Sequence, residues 1–179
     1  MQKTSSAQVA YFSMEVGIDP KVPTYSGGLG ILAGDTIRAA ADLAYPMVAV
    51  TLLTREGYFK QRIAKDGRQL AKPETWDVGK QLKNCRLNVT LPIQKRKIKI
   101  RVWSYDAVGV GGAVVPVYYL DTDVPGNSAS DRALSRQLYG GDHEYRLFSN
   151  EAFIASTRGQ VRRNRSRGRG DELFCRIPQ

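Results

Sequence analysis

Eleven consecutive residues, Tyr25-Ser26-Gly27-Gly28-Leu29-Gly30-Ile31-Leu32-Ala33-Gly34-Asp35, pair a glycine-rich turn with the start of an Ala-rich helical segment. Glycines without a Cβ let backbone N–H groups come close to a ligand. A helix that begins there adds its unbonded first-turn donors and the positive end of its dipole. Such a turn suits a phosphate or a sugar. The same glycines also occur where a strand must pack tightly on a helix, so both readings stand at this point. No Lys-Ser or Lys-Thr pair follows them, which excludes a Walker A loop. The spacing also differs from the Gly-x-Gly-x-x-Gly of dinucleotide folds.

The elements around the loop must position it. Residues 9 to 14, Val-Ala-Tyr-Phe-Ser-Met, read as an apolar strand, and Glu15-Val16-Gly17 leads through Pro20 and Pro23 to the glycines. A helix is predicted from about Leu29 to Ala44, with Leu29, Leu32, Ala33, Ile37, Ala40, Ala41 and Ala44 on its apolar face, ending before Pro46. Met47 to Leu53 is continuously apolar, as expected of a strand buried on both faces. The order strand, loop, helix, strand predicts an α/β fold.

Several segments together carry a family resemblance. They are Tyr11-Phe12-Ser13-Met14-Glu15, Pro23 to Gly30, Ala33-Gly34-Asp35 and Gly57-Tyr58-Phe59-Lys60-Gln61, followed by Val115 to Asp123 and Leu138-Tyr139-Gly140-Gly141-Asp142. In this order and spacing, over about residues 8 to 147, the chain resembles the N-terminal part of an alpha-glucan (glycogen/starch) phosphorylase of the short bacterial and archaeal type. The resemblance implies a partial N-terminal doubly wound domain of a GT-B glycosyltransferase, with an added β-hairpin region. It implies an enzyme that splits terminal α-1,4-linked glucose from a glucan with inorganic phosphate, releasing glucose 1-phosphate with retention. It also implies pyridoxal phosphate, held by a lysine outside this chain and acting through its phosphate group. In that picture Gly27, Gly28, Leu29 and Gly30 face substrate phosphate and the transferred glucose, while Glu15 orients neighbouring groups without acid–base work. Capping of the following turn is the plainer reading of Glu15. The full-length family members are often homodimers, and this chain alone is expected to be inactive.

Other residues are read more plainly. Asp35 is expected to be dipole-stabilised in the helix's first turn. Tyr58, Phe59, Lys60 and Gln61 either line the cleft or are ordinary core aromatics followed by a solvated lysine. Residues 84 to 93 and 98 to 103 alternate across a Gln94-Lys95-Arg96-Lys97 turn and predict a β-hairpin, its basic residues forming a solvated edge. Val114 to Leu120 reads as a strand, and Ser128 to Tyr139 as a helix capped near Ser130-Asp131. Trp76 and Trp103 could stack on glucan rings, but isolated tryptophans are more often core anchors.

The resemblance ends near Leu147. Residues 1–154 are read as the partial domain, and 155–179 as an Arg-rich, disordered tail carrying five of the ten net positive charges. A shift of reading frame explains so abrupt a change better than a genuine tail does. The tail also raises an RNA-binding module as an alternative, but no readout elements accompany its arginines. A synthase-like glycosyltransferase is a second alternative, disfavoured because Thr24-Tyr25-Ser26 stands where those enzymes place a lysine.

No run of about twenty apolar residues and no signal-like N-terminus is evident, so a cytoplasmic protein without a membrane span is expected. His143, the sole histidine, is read as solvated, and no metal site is expected. Cys85 and Cys175 are expected to be thiols.

Overall fold

The computed structural model describes residues 9–72, 74–93 and 96–138. Its centre is a five-stranded mixed sheet. Strand β1 (Val9–Phe12) lies parallel to β2 (Met47–Leu52), and β2 lies parallel to β7 (Val114–Asp121). Beyond β7 the sheet continues antiparallel through β6 (Arg96–Val108) to β5 (Lys83–Ile93), in the order β1-β2-β7-β6-β5. Helix α1 (Gly28–Asp42) joins β1 to β2. The fold is therefore α/β with an added β-hairpin, β5–β6, whose outer strand carries Pro92 at the sheet edge, where a missing ladder donor is tolerated.

All six residues of β2 are buried, and its alternation divides them between the two faces of the sheet. Ala49 and Leu53 join Ala33, Ile37, Ala40 and Ala41 of α1 and Val117 and Tyr119 of β7 in one cluster. Val48, Val50 and Leu52 join Ile98, Ile100 and Val102 of β6 in the other. A central parallel strand buried on both sides reads as a continuous apolar run for this reason.

Helix α1 lies on the sheet by its small residues. Its buried positions are Gly30, Ala33, Gly34, Ile37, Ala40 and Ala41, whereas Leu29 and Leu32 are exposed at 70% and 61%. This corrects the expected face. The helix ends at Asp42, with Ala44 in a left-handed conformation (φ 49°), and its C-terminus rests on the β6–β7 turn. There the Val110 N–H donates to Asp42 Oδ1 at 2.7 Å. A Cβ on Gly109 would stand 2.4 Å from the Ala41 carbonyl, so the close approach requires glycine.

Two further departures from expectation concern small elements. β3 (Lys60–Ile63) and β4 (Gln69–Lys72) form a separate antiparallel hairpin with every residue exposed, and helix α2 (Val78–Gln81) follows. The helix expected over 128–139 is only α3 (Ala129–Arg132) and a 3-10 turn at Ala133–Ser135, capped by Ser128 rather than by Ser130 or Asp131. The Ser128 hydroxyl accepts from the Asp131 N–H at 3.2 Å. Thr122 and Ser135 then bond each other through backbone and hydroxyl, which draws the chain out of helical geometry. Among the described residues no helix is long and apolar enough to cross a membrane. Tyr139 to Asp142, His143 and residues 155–179 lie outside the described residues.

Tyr119, wholly buried in β7, gives the fold an alkaline limit. Burial pushes its phenol far above the ordinary value near 10, with the Thr24 hydroxyl opposing. Burial likewise raises Tyr105, helped by the Asp19 carboxylate. A phenol whose pKa is raised in the folded state contributes stability that is complete below the unfolded value and is lost as pH climbs beyond it. Stability is thus expected to fall above about pH 10. In urea melts from about pH 9 to about pH 11, Tyr119→Phe should fall less steeply than wild type, retaining the Tyr105 part; identical slopes would contradict this.

Candidate functional site

The strand end after β1 and the start of α1 are tied together by short bonds. The Gly17 N–H donates to the Gly30 carbonyl at 2.8 Å, and the Thr24 hydroxyl to the Val16 carbonyl at 3.1 Å. Glu15 is buried, and its Oε2 accepts the Ser26 N–H at 2.8 Å. The carboxylate thus holds the backbone of the residue just before the glycines, across eleven positions of sequence. This arrangement is broader than a cap of the adjacent turn.

Gly27 is the N-cap of α1, in extended conformation, and the helix has no acidic residue in its first turn. Ser26, Gly27, Gly28 and Leu29 are exposed. Among the described residues nothing accepts from the N–H groups of Gly28, Leu29 or Gly30. Three first-turn donors therefore stand unbonded at a helix N-terminus beside the Glu15 carboxylate, those of Gly28 and Leu29 on exposed residues and that of Gly30 on a buried one.

The glycines divide into two kinds. A Cβ on Gly30 would stand 2.4 Å from Tyr25 Cβ and 3.1 Å from Glu15 Oε2, and Gly34 is tighter still against Gly17. A Cβ on Gly27 or Gly28 would meet nothing within 4 Å. Packing explains Gly30 and Gly34. It does not explain Gly27 and Gly28, where the missing side chains leave the helix end open to solvent. Asp35, expected in the first turn, is the eighth residue of α1; it is exposed and pairs with Arg38 at 3.3 Å, away from these donors.

Of the second motif, Tyr58 is exposed and Phe59 half-buried, their rings 4.2 Å apart. Lys60 is not simply solvated: its Nζ lies 2.6 Å from Glu74 Oε1. Gly57 packs on Pro23, its virtual Cβ 3.0 Å from the Pro23 carbonyl and 3.4 Å from Glu74 Cβ. This motif and the glycine loop are neighbours through Pro23.

Sequence reasoning missed a polar centre at the C-terminal end of β2, the same end of the parallel strands at which β1 runs on to Glu15. Asp121, fully buried, receives Arg55 Nη2 at 2.7 Å and Trp103 Nε1 at 3.1 Å on Oδ2, and the Asp123 N–H at 2.9 Å on Oδ1. Arg55 also meets Asp123 at 3.2 Å, and Arg132 meets Asp123 at 2.6 Å. Arg55, three residues beyond a buried and largely apolar strand, was the available signal. Removing the carboxylate leaves Arg55 half-paired and the indole N–H without its acceptor. Loss of one member of a buried pair costs about 3–5 kcal/mol, and partial exposure of Arg55 with Asp123 as a second partner reduces this. Asp121→Ala is expected to lower stability by about 2 kcal/mol in urea melts, and a change below about 0.5 kcal/mol would contradict the assignment.

Beside that centre lies an open groove of about 630 Å³ lined by Arg55, Thr75, Trp76, Asp77, Arg101 and Trp103, among others. Arg101 stands 6.0 Å from the centre of the Trp103 ring, and Arg96 pairs with Asp131 at 2.8 Å. The basic stretch of the hairpin is therefore only partly the solvated edge expected of it.

No family model matches the chain. Curated relatives do match it. It is 42% identical over 151 residues to the maltodextrin phosphorylase of Thermococcus litoralis, covering 78% of this chain and 17% of that protein. It is 38% identical over 147 residues to the glycogen phosphorylase of Mycobacterium tuberculosis, covering 78% and 16%. With the glycogen phosphorylase of Aquifex aeolicus the identity is 33% over 153 residues, covering 82% and 21%. Over these residues the chain is similar to alpha-glucan phosphorylases, and it spans about a sixth to a fifth of the length of the curated relatives it matches.

Proposed function

We propose that this chain supplies the glycine-loop wall of the catalytic cleft in an alpha-glucan phosphorylase of GT-B architecture. The reaction is phosphorolysis of terminal α-1,4-linked glucose, with inorganic phosphate as the second substrate and glucose 1-phosphate as the product. The observation that carries this reading is the set of unbonded N–H donors at Gly28, Leu29 and Gly30, the first two on exposed residues, in a chain 42% identical over 151 residues to a maltodextrin phosphorylase. Residues 9–138 belong to the first domain; the working enzyme is a cytoplasmic homodimer.

The chain's own part in the reaction is electrostatic. The three N–H groups donate to phosphate oxygens as negative charge shifts between phosphate and the departing sugar. They are fixed beforehand by the Glu15–Ser26 and Gly17–Gly30 bonds, so little reorganisation accompanies the transfer. Closure of a facing domain would exclude water and strengthen them. The donor set fits an oxyanion, whether substrate phosphate or the phosphate of pyridoxal phosphate. That cofactor, when bound, supplies a phosphate group for proton and charge transfer. No lysine of this chain is assigned to it.

Replacing the matching segment of the Thermococcus litoralis enzyme with residues 9–138 tests the reading. The chimera is expected to release glucose 1-phosphate from maltoheptaose and phosphate. A folded, cofactor-loaded chimera with no such activity would overturn it.

A further inference from the structure

Three like charges stand in file on the α1 side of β6, and nothing in the fold offsets them. Ile98, Ile100 and Val102 alternate into the core cluster on the far face, so Lys97, Lys99 and Arg101 share the face that carries Trp103. Alternate residues of a strand lie about 6.7 Å apart. That is inside the screening length of about 8 Å at physiological salt, so the three cations repel one another. Their partners across the ladder on β5 are Pro92, Thr90 and Asn88, which are uncharged and exposed. Arg101 also lies opposite Asp121 of β7, but that carboxylate is held by Arg55 and Trp103. Among the described residues none of the three cations meets a carboxylate. Protection of a sheet edge does not account for them, because the edge strand is β5 and β6 lies one strand in.

At its Arg101 end the stripe opens into the groove of about 630 Å³ that Trp76 and Trp103 line. Trp76 Nε1 donates to the Thr54 carbonyl at 2.8 Å, and Trp103 Nε1 to Asp121 at 3.1 Å. Both polar atoms are used inward and fix the half-buried indoles, so ring surface is what they offer to the groove. The acid beside them is committed: Asp77 accepts the Gly79 N–H at 3.1 Å on Oδ1 and meets Lys80 at 3.5 Å on Oδ2. A row of uncommitted cations that ends on two aromatic rings fits a flexible polyanion carrying planar groups. We propose that this face binds single-stranded nucleic acid, with phosphates on Lys97, Lys99 and Arg101 and a base against the tryptophan rings. An acidic polypeptide has the charge without the regular planar groups, and a duplex keeps its bases stacked inside. Little sequence preference is expected, since every base has a face to stack. The chain's formal charge of +10 draws such a partner from a distance.

The chain has only two tryptophans, both lining this groove, so its intrinsic fluorescence reports on the site. Titrating the 179-residue chain with an oligothymidylate of about twelve nucleotides should quench that fluorescence saturably. The triple variant Lys97→Ala/Lys99→Ala/Arg101→Ala should bind about tenfold or more weakly at about 0.1 M salt, with a salt slope smaller by about two. Lys97→Ala/Lys99→Ala alters exposed positions only and keeps the Arg101–Trp103 contact, so it should fold as wild type and lose an intermediate amount. Residues 155–179 are also rich in arginine, and Arg162→Ala/Arg163→Ala/Arg165→Ala removes the same charge there. That variant should keep the full quenching and lose less affinity than the β6 triple variant. Absence of quenching in the wild-type chain, or unchanged affinity in Lys97→Ala/Lys99→Ala, would overturn the proposal. Loss of binding in the 162–165 variant equal to that in the β6 triple variant would overturn it as well. Equal quenching by a duplex of the same length would overturn the single-strand assignment, and equal quenching by polyglutamate would make the partner an acidic polypeptide instead.

Discussion

Gly34→Ala is expected to lower the stability of the folded chain by about 3 kcal/mol or more, against the sign that helix propensity assigns. In an unconstrained helix interior alanine is better than glycine by about 1 kcal/mol. Here the added Cβ would stand 2.1 Å from the Gly17 carbonyl oxygen and 2.8 Å from its carbon. Both partners are backbone, so no side chain can rotate away. Gly17 cannot retreat freely either, because its N–H is bonded to Gly30 one helical turn earlier. Relief requires moving α1 off the strand end, disturbing the Ala33, Ile37, Ala40 and Ala41 contacts together. Overpacking of this kind reaches the upper end of the usual 1–3 kcal/mol and beyond, outweighing the propensity gain. Urea melts should show a lower midpoint with an unchanged slope. Stability equal to or above wild type would mean that α1 does not rest on Gly17.

The parts of this fold written in local pattern are those whose burial depends on one strand. β2 is apolar but for the buried Thr51 because both faces of the sheet cover it, and the β5–β6 hairpin alternates because one of its faces is wet. The face of α1 was obscured by its own packing. Hydrophobic periodicity gives weight to Leu29 and Leu32, but close approach to Gly17 favours Gly30, Ala33 and Gly34, so the leucines are left outside. Lys60–Ile63 and Gln69–Lys72 bury no residue and so have no pattern to show.

The candidate site was legible where it is local and obscure where it is assembled. Gly27 to Gly30 are contiguous, and the helix start they form is visible in residue type alone. The Asp121 centre joins Arg55, Trp103 and Asp123, and the groove joins Trp76 to Trp103. Only the sheet brings these together, by placing Arg101 opposite Asp121 and Trp103 opposite Tyr119. Two tryptophans that read singly as core anchors prove to be core-packed and groove-lining at once.

The second large effect belongs to Gly28, where substitution should spare the fold and strike the chemistry. A side chain there meets nothing within 4 Å, so Gly28→Val is expected to change stability by less than about 1 kcal/mol. In the cleft, however, its methyl groups would fill the space through which a phosphate oxygen reaches the Gly28, Leu29 and Gly30 donors. Losing one preorganised donor at a developing oxyanion costs about 10²–10³ in turnover, and a blocked approach weakens several at once. The decisive measurement is glucose 1-phosphate release from maltoheptaose by the chimera carrying residues 9–138, with and without Gly28→Val, at varied phosphate concentration. The account predicts a folded variant whose kcat/KM for phosphate is at least about 10²-fold lower. A folded variant that turns over phosphate as well as its parent would contradict the assignment of this loop.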